Sequence, residues 1–140
     1  MKNKLLLAAM AVSILFNACT YEDGPMSLAS KKARLANTWN QTILSGGGAP
    51  QQGVTVTLTL DKEGTGKEIT ALKNPITGSI SEAILDVKWK WGSSKEELIL
   101  EKTWSGVSQG EKKYRIVRLA SDEMNLENEG KIIETFVTKE

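Results

Sequence analysis

Residues 84–100 constrain the fold more than any other part of the chain. From Leu85 to Trp91 the sequence alternates strictly between apolar and polar residues. The apolar positions are Leu85, Val87, Trp89 and Trp91. Such alternation is typical of a β-strand with one buried side and one solvent-facing side. A Gly- and Ser-rich turn follows at 92–95, and 98–100 is apolar again. We therefore predict a β-hairpin that holds two tryptophans side by side on a buried face.

Similar strand signals recur from about residue 37 onward. Runs such as 54–60 and 113–119 are rich in Val, Leu, Ile, Thr and Tyr, and turns rich in Gly, Asn, Asp and Ser separate the runs. About eight short strands at this spacing indicate an antiparallel up-and-down meander, which forms either a barrel or a sandwich. Closure into a barrel removes both exposed sheet edges. We therefore predict an all-β barrel.

A short helix is predicted before the first strand, over residues 27–36. This segment is rich in Ala, Leu, Lys and Arg, which are good helix formers, and Ser27 suits the N-cap position. Leu28 and Leu35 give the helix a narrow apolar edge. A helix this short is stable only when it packs on something else. Residues 27–140 are therefore predicted to form one β-barrel domain with a short N-terminal helix.

Residues 1–18 have the form of a signal peptide. Two lysines, Lys2 and Lys4, precede an apolar run over 5–16 that is too short to span a bilayer comfortably. The chain's one cysteine, Cys19, follows a small residue just after this run. The arrangement resembles the lipobox of bacterial lipoproteins, in which the cysteine becomes the lipidated N-terminus. The resemblance implies lipidation at Cys19, and the polar segment 19–26 is then the lipidated tether.

Lipidation at Cys19 would make the membrane the first partner of the protein. Several acyl chains anchor a protein stably, since each buried methylene contributes about 0.8 kcal/mol. The acidic pair Glu22 and Asp23 resembles the signal that sends some Gram-negative lipoproteins to the cell surface. We therefore expect an outer-membrane lipoprotein that is exposed on the cell surface.

The composition excludes several classes of function. The chain has no histidine and one cysteine, so Ser-His-Asp catalysis, Cys-His catalysis and His- or Cys-based zinc sites are excluded within one chain. We therefore predict no enzymatic activity, no metal and no cofactor. Of 18 basic residues, 16 remain without Lys2 and Lys4, against 17 acidic ones. This balance does not favour a nucleic-acid partner, which normally requires a concentrated basic face.

The order of several motifs along the chain resembles the lipocalin-like domains of small bacterial lipoproteins. The motifs are Leu35-Ala36-Asn37-Thr38-Trp39, residues 58–66, Trp89-Lys90-Trp91, residues 114–119 and Met124-Asn125-Leu126. The resemblance implies a lipocalin-like barrel that binds a small hydrophobic or amphipathic ligand. Lipocalins pack a first-strand tryptophan across the barrel floor, and the resemblance implies this role for Trp39.

Four aromatic residues are candidate ligand contacts. They are Trp104, Trp89, Trp91 and Tyr114. Trp104 borders a predicted Gly- and Ser-rich loop at 104–110, where an indole suits a sugar ring, an apolar ligand or a protein. Trp89 and Trp91 can instead fill the barrel, because an eight-stranded interior holds either side chains or one small ligand. The glycine-rich loop at 46–53 is a second place where binding is expected.

Two functions remain open from the sequence. One is a lipid-anchored binding protein for a small apolar or amphipathic ligand. The other is a non-enzymatic accessory module with a filled barrel, which contacts an outer-membrane protein or a glycan.

Overall fold

The computed structural model describes residues 29–138, which form one short helix and eight strands. The elements are α1 (Lys31–Leu35), β1 (Thr38–Ile43), β2 (Val54–Leu60), β3 (Thr65–Lys73), β4 (Ile80–Trp91), β5 (Glu97–Trp104), β6 (Val107–Leu119), β7 (Glu123–Asn128) and β8 (Ile133–Thr138). Each strand pairs antiparallel with its neighbour in sequence, and β8 pairs with β1. The prediction of an all-β, antiparallel closed barrel is confirmed. The predicted signal peptide, Cys19 and the tether lie outside the described residues.

The alternation in β4 decides which side chains enter the barrel. Val87 and Trp89 are buried, whereas Asp86, Lys88 and Lys90 are exposed, as the period of two predicted. The same rule in the other strands builds one apolar core. Its buried members are Leu35, Trp39, Leu58, Leu60, Val87, Trp89, Leu98, Leu100, Tyr114, Ile116, Leu119, Met124, Leu126 and Phe136.

Helix α1 covers one end of the barrel, which we call the closed end. Ser30 caps the helix, because its hydroxyl oxygen accepts a hydrogen bond from the Ala33 backbone at 3.2 Å. The predicted cap at Ser27 is therefore wrong, since the helix begins at Lys31. Leu35 is fully buried, and its carbonyl accepts a hydrogen bond from the Trp39 indole at 3.0 Å. The opposite end, at the turns after β1, β3, β5 and β7, is called the open end.

Two strands are longer than the sequence predicted. β4 has 12 residues and β6 has 13. The predicted loop at 104–110 is wrong, because Ser105 and Gly106 alone connect β5 to β6. Their φ angles of 49° and 82° are both positive, as in the type I′ turn that favours tight hairpins. Trp104 is therefore the last residue of a strand and has a fixed direction along the barrel wall.

The β1–β2 seam is the shortest pairing in the barrel. It covers only Thr38–Asn40 on β1, where the Thr57 hydroxyl also donates to the Asn40 side chain at 3.1 Å. Beyond this point the two strands diverge around a cleft of about 320 Å³. The β1–β8 pairing, by contrast, runs from Trp39 to Ile43 and closes the barrel.

Candidate ligand-binding site

The inner face of the barrel changes from apolar to polar towards the open end. Six side chains form this transition, which we call the polar layer. They are Gln41, Glu68, Lys102, Tyr114, Asn128 and Glu134. These side chains face the interior of the barrel for one of two reasons. Some lie two positions after a core residue on the same strand, and the others are register partners of an inward-facing residue on a neighbouring strand. The polar layer therefore lies directly on top of the apolar core.

An ion pair crosses β4 on the inner face. Lys102 Nζ lies 2.5 Å from Glu68 Oε2, and these side chains are 22% and 12% exposed. The pair spans β4 because Glu68 is the register partner of Leu85, while Lys102 is the partner of Val87. Two opposite charges held this far from water depend on each other, because either one alone would be costly to bury.

Glu134 is the second carboxylate of the polar layer and is 4% exposed. Its Oε2 accepts a hydrogen bond from Gln41 Nε2 at 3.0 Å, and its Oε1 accepts one from Asn128 Nδ2 at 3.3 Å. Asn128 also donates to the Ser45 carbonyl at 3.2 Å. This amide therefore ties the glycine-rich loop after β1 to the interior of the barrel.

Tyr114 is hydrogen-bonded to Glu134 and interacts with the charges of both carboxylates of the polar layer. Burial of the phenol raises the pKa of Tyr114, and the charges of Glu134 and Glu68 raise this pKa further. A hydrogen bond between its hydroxyl and Glu134 acts in the same direction. The Tyr114 hydroxyl therefore stays protonated across the physiological pH range and serves as a hydrogen-bond donor.

Above the polar layer, three inward-facing apolar side chains form what we call the rim. Leu72 follows Glu68 on the inner side of β3, Trp104 follows Lys102 on the inner side of β5, and Val107 is the register partner of Trp104. These side chains are 52%, 59% and 64% exposed. Small-molecule sites usually combine an apolar lining with a few polar groups, and the rim and the polar layer supply these two elements.

The structure separates the four predicted ligand contacts into two groups. Trp89 and Trp91 lie towards the closed end, where their rings meet edge to face with centroids 5.5 Å apart. The Trp89 indole donates to the Asp61 carbonyl at 2.9 Å. Trp104 is four residues beyond Leu100, the register partner of Trp89, and is thus about 13 Å farther along the wall. Of the four, Trp104 alone lies at the rim, whereas Tyr114 is a buried core residue paired with Leu98, which is also the register partner of Trp91.

The sequence analysis missed three charged residues of the polar layer, namely Glu68, Lys102 and Glu134. A charged residue within a strand is most often solvent-facing, so local pattern gave no reason to place these three inside the barrel. Register could have identified Glu68, because it is the partner of the buried Leu58. That register is fixed only when the length of the turn between β2 and β3 is known.

Comparisons with known proteins identify no family. A scan against models of protein families gives no match, and a search of curated proteins gives no relative. Between residues 29 and 138, no helical segment has the length and hydrophobicity of a membrane span. The geometry of the open end is therefore the basis for a functional proposal.

Proposed function

We propose that the protein is a lipid-anchored, non-enzymatic binding protein of the cell envelope, which takes a small hydrophobic or amphipathic ligand at the open end of its barrel. The apolar rim above the polar layer carries this proposal. The apolar part of a ligand would lie against Trp104 and Leu72, and its polar part would meet Lys102, the partly exposed charge of the polar layer two residues before Trp104. The tightly filled closed end limits the ligand to the open half.

A lipocalin-like classification is part of the proposal. Three features support it: the eight-stranded up-and-down barrel, the helix across the closed end, and the buried Trp39 bonded to that helix. The position of Cys19 after an apolar run supports lipidation and an outer-membrane location, and Glu22 and Asp23 support exposure on the cell surface.

Replacing Cys19 with serine should release the protein from the membrane fraction. Serine cannot form the thioether that carries the acyl chains, so the protein should move to a soluble fraction of the envelope. Fractionation followed by immunoblotting measures this change. Ser13→Ala, inside the same N-terminal segment, is the matched control and should leave the protein with the membranes. Complete retention of a Cys19→Ser protein that has lost residues 1–18, as judged by its mass, after high-salt and carbonate washes would contradict lipid anchoring.

Binding at the rim should change the fluorescence of Trp104. A panel of fatty acids, retinoids and glycans is titrated into the soluble Cys19→Ser protein, and a bound apolar ligand should shift the emission to shorter wavelength. Trp104→Phe should remove most of this shift. Trp91→Phe is the matched control, because Trp91 lies near the closed end and should leave the shift intact. No response to any ligand would rule out the carrier.

The second candidate function is an accessory module that binds an outer-membrane protein or a glycan. Ile76 and Ile80 favour it, because they are 93% and 62% exposed on the outside of the β3–β4 hairpin. If the ligand panel gives no response, co-purification of partners from detergent-solubilised membranes tests this candidate. Loss of a co-purified partner in an Ile76→Ser variant would support it.

A further inference from the structure

The two ends of the barrel differ sharply in charge. At the closed end, α1 carries Lys31, Lys32 and Arg34, and the turns after β2, β4 and β6 carry further ionisable residues. These are Asp61, Lys62, Glu63, Lys95, Glu96 and Asp122. At the open end, the connections at 44–53, 74–79 and 105–106 contain no charged residue. The turn after β7 contains one acidic and one basic residue. The connections at the open end are therefore nearly free of charge, and the exposed Lys73 and Glu82 lie on the strands just below the β3–β4 turn.

The open end also carries the most exposed large apolar side chains among the described residues. The β3–β4 hairpin presents Ile76, Ile80 and Leu72, and the β5–β6 hairpin presents Trp104 and Val107. Each hairpin extends beyond the neighbouring strand on one side only, β4 beyond β5 and β6 beyond β7. The β4–β5 pairing begins only at Asp86, six residues after the start of β4. The β6–β7 pairing begins only at Tyr114, seven residues after the start of β6.

We propose that the open end docks on the surface of a lipid bilayer, with the tips of the β3–β4 and β5–β6 hairpins inserted into the headgroup region. This inference goes beyond the proposed function, because the acyl chains on Cys19 would be enough to anchor the protein to the membrane without any contact from the barrel. Uncharged tips with isoleucine and tryptophan match the membrane interface, where tryptophan is enriched and buried apolar area determines the binding strength. The bilayer then lies next to the rim, so an apolar ligand passes between membrane and barrel without crossing water.

The shape of the surface favours a bilayer over a protein partner. Leu72 points into the barrel and Ile80 points out of it, so apolar side chains lie on both sides of the β3–β4 hairpin, whereas Trp104 and Val107 both face inward. A protein interface of standard size requires a continuous patch of about 800 Å² on each partner. A fluid interface can enclose a protruding tip from all sides.

The length of the tether permits this orientation. The described chain begins at Ala29, beside α1 at the closed end, and Cys19 is ten residues earlier. Ten extended residues span about 33–36 Å. The longest strand, β6, has 13 residues, and a tilt of about 40° gives a barrel height of about 33 Å. A lipidated Cys19 can therefore reach a bilayer that touches the open end.

The test uses the mature chain from residue 19 with Cys19→Ser, so that neither acyl chains nor the apolar run at 5–16 contributes. The protein is mixed with phosphatidylcholine vesicles at 150 mM and at 1 M salt, and the bound fraction is measured by flotation. We expect binding that does not weaken at high salt. Nitroxide-labelled lipids should quench the Trp104 emission and spare the buried Trp39 and Trp89. No flotation with these vesicles would overturn the proposal and leave lipid anchoring at Cys19 unaffected.

Variants at the tips locate the docking surface. Ile76→Ser and Ile80→Ser should each weaken vesicle binding about tenfold, since each removes one large apolar side chain from the interface. Val117→Ser is the matched control, because Val117 is an exposed residue of the outer wall away from both tips, and its binding should be unchanged. Equal binding by the Ile76→Ser variant and the parent would overturn the proposal.

Two other kinds of contact would give different results: an electrostatic contact of α1 with anionic lipid, and a contact of the tips with a second copy of the chain. Binding only to anionic vesicles, abolished by salt and by Lys32→Gln, would assign the contact to the basic residues of α1 and overturn the proposal. A dimer in light scattering that Ile76→Ser converts to a monomer, without vesicle binding by the parent, would assign the tips to a second copy of the chain and also overturn it.

Discussion

Replacing Trp39 with alanine should lower the free energy of unfolding by about 3–5 kcal/mol, the range for removal of a large aromatic side chain from a core. Trp39 is fully buried and fills the space between α1 and the strands. Its loss opens a cavity at the closed end and leaves the Leu35 carbonyl without the indole donor. Urea denaturation followed by circular dichroism measures the change.

Trp39→Phe separates the packing of this residue from its hydrogen bond. Phenylalanine keeps most of the apolar volume but cannot donate to Leu35, so we expect a smaller loss of about 1–2 kcal/mol. Trp104→Ala is the matched control, because it removes the same side chain from a position that is 59% exposed and should cost much less. A Trp39→Ala protein as stable as the Trp104→Ala protein would contradict the role of Trp39 in closing the barrel.

Replacing Lys102 with methionine should lower the free energy of unfolding by about 2–4 kcal/mol. The change leaves the Glu68 carboxylate inside the barrel without its counter-charge, and breaking a fully buried pair costs about 3–5 kcal/mol. We expect a somewhat smaller effect because both side chains keep some contact with water. Thermal and urea denaturation at neutral pH measure it.

A double-mutant cycle tests whether the pair acts as a unit. The Glu68→Leu/Lys102→Met protein should recover to within about 1 kcal/mol of the parent, because no unpaired charge remains. Lys90→Met is the control, since Lys90 pairs with Glu111 on the exposed outer wall and an exposed pair contributes less than about 1 kcal/mol. Additive losses at Glu68 and Lys102 would show that the two residues do not depend on each other.

Much of the architecture could be predicted from local patterns. The period of two in β4 identified Val87 and Trp89 as core residues, and the number of strand signals gave the meander. The predicted loop after Trp104 was wrong because Ser, Gly and Gln are common both in loops and in exposed strand ends. Positive φ angles at Ser105 and Gly106 decide the outcome, and they depend on the pairing of β5 with β6.

The polar layer could not be predicted for a different reason. Glu68 and Lys102 are 34 residues apart in sequence, and Gln41 and Glu134 are 93 apart. Glu68 and Lys102 meet across β4 because of the strand register. Gln41 and Glu134 meet because barrel closure brings the first strand beside the last. A single sequence carries no local pattern for such pairs. The charges of the turns, in contrast, are visible in the sequence. Once the strand order assigns each turn to one end of the barrel, they show that the connections at the two ends differ in charge.

The uneven seams around the barrel have a consequence for folding. β1 is joined to β2 over Thr38–Asn40 alone, so most of its ladder is with β8. The hairpins from β2 to β7 can form from contacts that are local in sequence, whereas β1 must wait for a strand some 90 residues later. Contacts of such long range form slowly, because the entropy of closing the loop is lost before they are made. We therefore expect an open sheet with an exposed β2 edge to precede the barrel during folding. While it persists, that edge is where the chain is most prone to pair with another copy of itself.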